Sequence, residues 1–218
     1  MTTLLHVRAS PRGDGSKSTR LAEAYLADAR SNNPDLVVDT LDVWTEPLPV
    51  FDGDKVAAKM SVIGGQDLTG LQKSAWEEIV SVADRFRSAD RYVFSVPMWN
   101  GGIPYRLKQY IDIIHQPGLL WGLDPAAGYS GLLADRHATL VLTSGAYGPP
   151  AFTSPAFGED HQSTYLRAWL NQAGITAIDE IRFQPTLLTS DPDGDLLKAT
   201  QRARELAREH GMFETVAT

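Results

Sequence analysis

The sequence contains no cysteine among its 218 residues. This absence excludes disulfides, thiolate nucleophiles, zinc–thiolate sites and cysteine-ligated iron–sulfur clusters. Any redox chemistry of this chain therefore needs a bound cofactor.

Long apolar runs and an excess of positive charge are also missing. No apolar run approaches the roughly 20 residues of a membrane span, and Met1 to Ala9 lack the basic start and apolar stretch of a signal peptide. The 27 Asp and Glu residues outnumber the 20 Lys and Arg residues, for a formal net charge of -7. Because nucleic-acid surfaces are normally basic, we expect a cytoplasmic protein that binds neither nucleic acid nor a membrane.

Strand-like and helix-like patterns alternate about five times along the chain. The predicted strands are Leu4–Val7, Leu36–Val43, Arg91–Val96, Ala138–Thr143 and Ile181–Leu188. One predicted helix starts near Ser18, and four others cover residues 71–89, 105–115, 162–173 and 195–210. Asp52 to Thr69 is predicted to be a mobile loop with weak helical character. This alternation predicts one α/β domain over residues 1–218, with a parallel sheet covered by helices on both faces.

The first of three unusual loops follows the first predicted strand and runs from Ser10 to Thr19. The free N–H groups and the dipole of a helix start favour a phosphate, and the loop adds hydroxyl groups and positive charge from Ser10, Ser16, Lys17 and Ser18. It lacks the dinucleotide-binding and Walker patterns. The alternative is a solvated loop in which Ser18 caps the helix.

The other two loops also follow predicted strands, and ligands of parallel sheets bind at such carboxyl ends. Candidate residues in the second loop are Met98, Trp99, Asn100 and Gly101, and those in the third are Ser144, Gly145, Ala146 and Tyr147. They could offer backbone N–H groups and apolar cover to a flat heterocycle, although each loop could also be a plain connection. FMN, with a phosphate and a planar ring, fits all three loops together.

The sequence resembles the FMN-dependent NADH-azoreductase and NAD(P)H:quinone oxidoreductase family over nearly its whole length. The resemblance rests on Ser10 with Ser16–Ser18, on Pro97–Asn100 with Pro104 and Leu107–Lys108, on Ser144–Tyr147, and on Pro47–Val50. It implies a flavodoxin-like five-stranded sheet of order 2-1-3-4-5. The sequence departs from the family pattern where Trp99 precedes Asn100 and where Ala146 follows Gly145.

The resemblance also implies a function. FMN phosphate would bind at Ser10 and Ser16–Ser18, and the flavin ring at Met98–Gly101 and Ser144–Tyr147. A homodimer would use NADH or NADPH to reduce quinones or azo compounds. We expect ping-pong hydride transfer through flavin N5, without a catalytic acid or base. An NAD(P)H-dependent FMN reductase and a flavodoxin-type electron carrier remain alternatives.

Histidines and one apolar helix complete the sequence-based expectations. The five histidines do not have the spacing of a metal site, so no metal is expected, and His137 and His210 are predicted to be solvated. Whether His115, Asp160 or His161 contributes to the substrate pocket stays open. The helix over 105–115 carries a surplus of apolar residues, which predicts a dimer interface beside the flavin, and Trp99, Tyr147 and Phe152 would cover part of the ring.

Overall fold

Five parallel strands form the central sheet of the protein. The computed structural model describes residues 2–148 and 158–215, with side chains to Gly211. The sheet strands are β1 (Thr3–Arg8), β2 (Val37–Asp42), β3 (Arg91–Pro97), β6 (His137–Thr143) and β7 (Ala177–Phe183), and a separate antiparallel pair is formed by β4 (Trp121–Asp124) and β5 (Gly128–Gly131). The order β2-β1-β3-β6-β7 confirms the predicted order 2-1-3-4-5, counted over the five sheet strands.

Helices cover both faces of this sheet. They are α1 (Lys17–Asn32), α2 (Gly53–Ile63), α3 (Leu71–Arg87), α4 (Tyr105–Ile114), α5 (His161–Ala173) and α6 (Pro192–Thr215). Helices α1 and α6 pack on one face, and α3, α4 and α5 on the other. Alternation along β1 explains the two layers, because Leu5 and Val7 face the second group while Leu4 faces α1 and α6. None of the helices in the described part of the chain is long and apolar enough to cross a membrane.

The segment after β2 differs from the expectation of a mobile loop. Residues Gly53–Ile63 form helix α2, whose start is capped by Asp52: its Oδ1 accepts a hydrogen bond from the Lys55 N–H at 3.2 Å. The buried Lys55 ammonium lies 2.8 Å from the Glu78 carboxylate on α3. An N-cap and a contact with a neighbouring helix therefore fix a segment whose intrinsic helical pattern is weak.

The last strand ends earlier than predicted. Strand β7 stops at Phe183 rather than at Leu188. Pro185 has no N–H to offer to a ladder, and the next residues bond to another loop: Thr186 N–H donates to the Ser144 carbonyl at 2.8 Å, and Leu187 N–H to the Gly145 carbonyl at 2.9 Å. This stretch therefore joins the edge where the sheet strands end.

Most of helix α4 is buried within a single chain, so the apolar surplus that predicted an interface on this helix is absent from its buried face; the interface itself stays a prediction. Tyr110, Ile111, Ile113 and Ile114 lie in the core, and Tyr105 is the apolar residue of this helix that is largely exposed, at 64%. The short pair β4–β5 was not predicted from the sequence. The apolar residues on the buried face of α4 are covered by the rest of the chain. The prediction of a dimer therefore depends on the family resemblance and on the exposed aromatic residues near the cleft.

Candidate functional site

The loop between β1 and α1 holds buried hydroxyl groups at a helix start. Ser10, Ser16 and Ser18 are all buried, and the Oγ atoms of Ser16 and Ser18 lie 3.0 Å apart. Ser16, not Ser18, is the N-cap residue, and its side chain makes no capping hydrogen bond to the helix. The hydroxyl groups are thus not consumed in capping α1. Together with the N–H groups of the first turn they can bind an anion.

Positive charge lies beside this helix start. The Lys17 ammonium donates to the Thr186 carbonyl at 3.2 Å and lies 5.1 Å from the centre of the Phe183 ring. Arg12 is exposed at the same loop. Lys17 therefore ties the start of α1 to the loop after β7, and both cations favour a negatively charged ligand.

The loop after β3 contains a tight turn formed by residues Trp99 to Gly102. The N–H groups of Trp99 and Gly102 each donate to the other residue's carbonyl at 2.9 Å. The central residues Asn100 and Gly101 have φ values of 50° and 81°, as in a type I′ turn, which favours the Asn-Gly pair. The turn's own two hydrogen bonds do not use the N–H groups of its two central residues.

The loop after β6 is held by the loop after β7. Besides the bonds of Ser144 and Gly145 to that loop, the Ser144 hydroxyl donates to the Tyr147 carbonyl. A Cβ at Gly148 would lie 2.3 Å from Pro185 Cδ, so only glycine allows this approach. Residues Pro149 to Phe157, including Phe152, lie outside the described residues.

These loops enclose a cavity of about 250 Å³ at the carboxyl ends of the strands. Its lining includes seven of the predicted site residues: Ser10, Ser16, Lys17, Met98, Trp99, Ser144 and Gly145. Ser18 contacts Ser16 behind this lining, whereas Asn100, Gly101, Ala146 and Tyr147 do not line the cavity. Thr186 and Leu187 line it as well. These two residues were missed because the last strand was predicted to continue through them.

A larger cleft of about 920 Å³ adjoins the cavity at Trp99, which lines both. Aromatic side chains form much of its wall: Phe51, Trp99, Tyr105 and Tyr165. The Trp99 ring packs on Trp44 at 5.6 Å between ring centres, and the Trp44 Nε1–H donates to the Ala9 carbonyl at 3.0 Å. Flat aromatic walls suit a planar ligand, and the cavity and the cleft lie on either side of the shared Trp99.

The sequence did not decide whether His115, His161 or Asp160 contributes to the substrate pocket, and the structure places the three residues differently. His161 lies on the wall of the cleft, its side chain exposed, and its backbone N–H donates to the Gly101 carbonyl at 3.0 Å. His115 lines a different cavity, where burial lowers its pKa to about 4 and Nδ1 accepts from Trp169 Nε1 at 3.2 Å. Burial raises the pKa of Asp160, but hydrogen bonds from Ser163 and Arg182 outweigh it and hold that pKa below its usual range. Asp160 caps α5 and is not among the residues that line the cleft.

Comparisons with known proteins agree with this architecture. A family model described as a flavodoxin-like fold matches residues 2–207. A protein of Ruegeria pomeroyi named FMN-dependent NADH:quinone oxidoreductase is 53% identical over 192 residues, which cover 88% of this chain and 93% of that protein. A protein of the same name from Desulfotalea psychrophila is 39% identical over 96% of this chain and 98% of its own length.

Solved structures show the same similarity. An azoreductase from Bacillus anthracis superimposes with a TM-score of 0.85 at 26% identity, covering 96% of this chain and all of that one. An FMN-dependent NADH-azoreductase from the same species, solved in complex with FMN, gives a TM-score of 0.83 at 25% identity, covering 97% of this chain and all of that one.

Proposed function

The chain belongs to the flavodoxin-like family that includes the FMN-dependent NADH:quinone oxidoreductases, and from this premise we propose that it uses FMN and NADH or NADPH to reduce quinones and azo compounds. The observation that carries the proposal is the pair of adjoining cavities at the carboxyl ends of the strands. There, an anion-binding cavity with buried hydroxyl groups meets an aromatic cleft at Trp99. We further propose that the chain is a single cytoplasmic domain.

The phosphate of FMN would bind at the start of α1. Ser10, Ser16 and Ser18 supply hydroxyl donors that capping does not use, and Lys17 supplies charge. A phosphate needs several convergent donors, because it carries about two negative charges and accepts through all of its outer oxygens. The chemistry of this donor set therefore fits the group.

The flavin ring would be held by Met98–Gly101 and Ser144–Tyr147. The N–H groups of Asn100 and Gly101, which the turn does not use, would face the polar edge of the ring, and Met98 and Trp99 would offer apolar cover. When bound, FMN would supply the two-electron redox chemistry that couples oxidation of the nicotinamide to reduction of the acceptor. The residues of this chain would bind and orient the reactants, with Trp99, Tyr105 and Tyr165 forming part of the cleft wall.

Donor and acceptor would use the same cleft in turn. Both are planar, and both need the aromatic wall formed by Phe51, Trp99 and Tyr105. A nicotinamide that leaves before the acceptor enters gives ping-pong kinetics. A cleft of about 920 Å³ beside the cofactor cavity favours such an enzyme over an electron carrier, which needs no nicotinamide site. Resemblance to the family also supports a homodimer, and the exposed Tyr105 at the start of α4 is the residue of this helix that could contact a second copy.

Absorbance of the purified protein tests the proposal. We expect a flavin spectrum that bleaches within seconds when NADH or NADPH is added without oxygen, and colour that stays with the protein on gel filtration. Slow bleaching over many minutes identifies a carrier instead. Reduced flavin that separates from the protein identifies a flavin reductase, and a colourless protein that takes up no FMN contradicts the proposal.

A further inference from the structure

Two imidazoles and one carboxylate meet at the end of the sheet opposite the flavin cavity. His137 Nε2 lies 2.8 Å and His210 Nε2 3.1 Å from the same atom, Asp179 Oδ2. All three ligand atoms lie within 4.8 Å of one another, and this is the one such group of His, Asp or Glu side chains found in the described ranges. The sequence-based expectation of solvated histidines is wrong for His210, which is buried.

Strand alternation and helix periodicity bring these residues together. His137 shares a strand face with Val141, and Asp179 shares one with Ile181, since side chains two residues apart point the same way. Both faces pack on α1 and α6. On α6, His210 follows Ala203 and Ala207 at helical spacing. It therefore lies on the buried face of α6, close to the first residues of β6 and β7.

The arrangement provides what a metal site requires. The two Nε2 atoms lie 2.8 and 3.1 Å from the same carboxylate oxygen. Neighbouring ligand atoms of a tetrahedral zinc site lie about 3.3 Å apart, so these two spacings would need to lengthen by about 0.2–0.5 Å. The third pair, the two imidazole nitrogens, lies within 4.8 Å. Metal-bound histidines usually hold their second ring nitrogen on a hydrogen-bond partner. Here the Tyr25 hydroxyl lies 2.8 Å from His210 Nδ1.

We propose that His137, Asp179 and His210 form a binding site for a divalent transition-metal ion of the zinc type. The half-exposed Asp179 carboxylate, with 40% of its side chain accessible, leaves an entry path and room for a water as fourth ligand. Bound metal fixes the His210 proton on Nδ1, which then donates to Tyr25. The bound metal would link α6 to strands β6 and β7.

Arg91 limits the strength of this site. Its charge acts on both imidazoles and opposes a cation. We therefore expect moderate affinity, with zinc, nickel and copper favoured over magnesium because imidazole ligands suit those ions and magnesium prefers oxygen.

Calorimetric titration of the tag-free, chelator-treated full chain with ZnCl₂ is the test. One zinc ion should bind per chain, and at one hundred times the dissociation constant it should raise the Tm by roughly 5–10 °C. Asp179→Asn and His137→Asn should each weaken binding at least tenfold. The matched control Asp35→Asn changes an exposed carboxylate elsewhere and should bind like the parent, and MgCl₂ should give no binding.

A spectroscopic measurement on the unaltered chain keeps the test independent of variant folding. Co²⁺ added to the parent should give the intense visible bands of a four-coordinate site at one equivalent, displaced by zinc. Absence of saturable binding overturns the proposal. So does zinc binding that is undiminished in Asp179→Asn and His137→Asn, since the ion then binds at other groups, such as His161 with Glu159.

Discussion

Ser16 and Ser18 carry the clearest prediction at the scale of single residues. If their buried hydroxyl groups donate to the FMN phosphate, replacing both with Ala removes charge-assisted hydrogen bonds of about 1.5–3 kcal/mol each. The affinity for FMN should fall by more than tenfold. The affinity for riboflavin, which has no phosphate, should hardly change. Fluorescence titration of the apoprotein with each flavin measures both values.

The matched control for this pair is Ser31→Ala. Ser31 lies on the same helix but is exposed, and its hydroxyl donates to the Ala27 carbonyl at 3.0 Å. FMN should bind to this variant as to the parent. Equal losses of FMN and riboflavin affinity in the Ser16/Ser18 double variant would show that the loop does not recognise the phosphate.

His6 links the stability of the protein to pH. Burial and the nearby charges of Arg8 and Arg30 lower the pKa of His6 from 6.5 to about 3. Between these pH values the unfolded chain binds a proton that the folded chain does not. Stability is therefore lost as pH falls below about 6.5, by about 2 kcal/mol from this group between pH 7 and pH 5.

Urea unfolding at pH 7 and pH 5 measures the contribution of His6. In His6→Gln, the loss of unfolding free energy between these pH values should be smaller than in the parent by about 2 kcal/mol. The exposed His161 provides the control, as His161→Gln should keep the parental difference. An unchanged difference in His6→Gln would mean that the buried imidazole is not the group responsible.

At the scale of elements, the Trp99–Gly102 turn is the part of the site most sensitive to backbone changes. Gly101→Ala adds a Cβ at φ 81°, 3.3 Å from the Glu159 carbonyl oxygen. We expect a loss of about 1–2 kcal/mol of stability and a Tm lower by roughly 2–4 °C per kcal/mol. Gly102→Ala is the control, because its Cβ meets nothing closer than 3.9 Å. Thermal unfolding of both variants makes the comparison, and equal Tm values would contradict the turn geometry.

Elements with strong patterns could be predicted from the sequence. Strand β3 is a run of buried residues from Tyr92 to Val96, and α3 repeats its apolar residues at helical spacing through Ile79 and Phe86. Both follow from local periodicity. The polar and glycine-rich loops that follow β1, β3 and β6 were also visible, since the carboxyl ends of parallel strands lie on one edge.

Other elements depend on contacts that the sequence does not display. Helix α2 is stabilised by the ion pair between Lys55 and Glu78 on α3. The loop after β7 joins the site through hydrogen bonds to Ser144 and Gly145. The sequence pattern of α4 indicated an exposed apolar face, because periodicity cannot tell how much of a helix its own chain covers. The residues assigned to FMN remain predictions.

At the scale of the whole molecule, a second copy of the chain is expected near the cleft. Trp99 and Tyr105 are substantially exposed there, at 38% and 64%. Sedimentation of the flavin-loaded protein should give a dimer at micromolar concentration. Dilution into monomers should lower turnover, because an open cleft admits water. A monomer with full turnover would contradict a shared site.

Separating the two half-reactions tests the central claim most directly. The flavin-loaded protein is reduced with NADH or NADPH in the absence of oxygen, freed of nucleotide by gel filtration, and mixed with a quinone. We predict that the isolated reduced protein is reoxidised rapidly and that one quinone is reduced per flavin, because the acceptor uses the cleft that the nicotinamide has left. A reduced protein that the quinone cannot reoxidise unless nucleotide is added back would contradict the account.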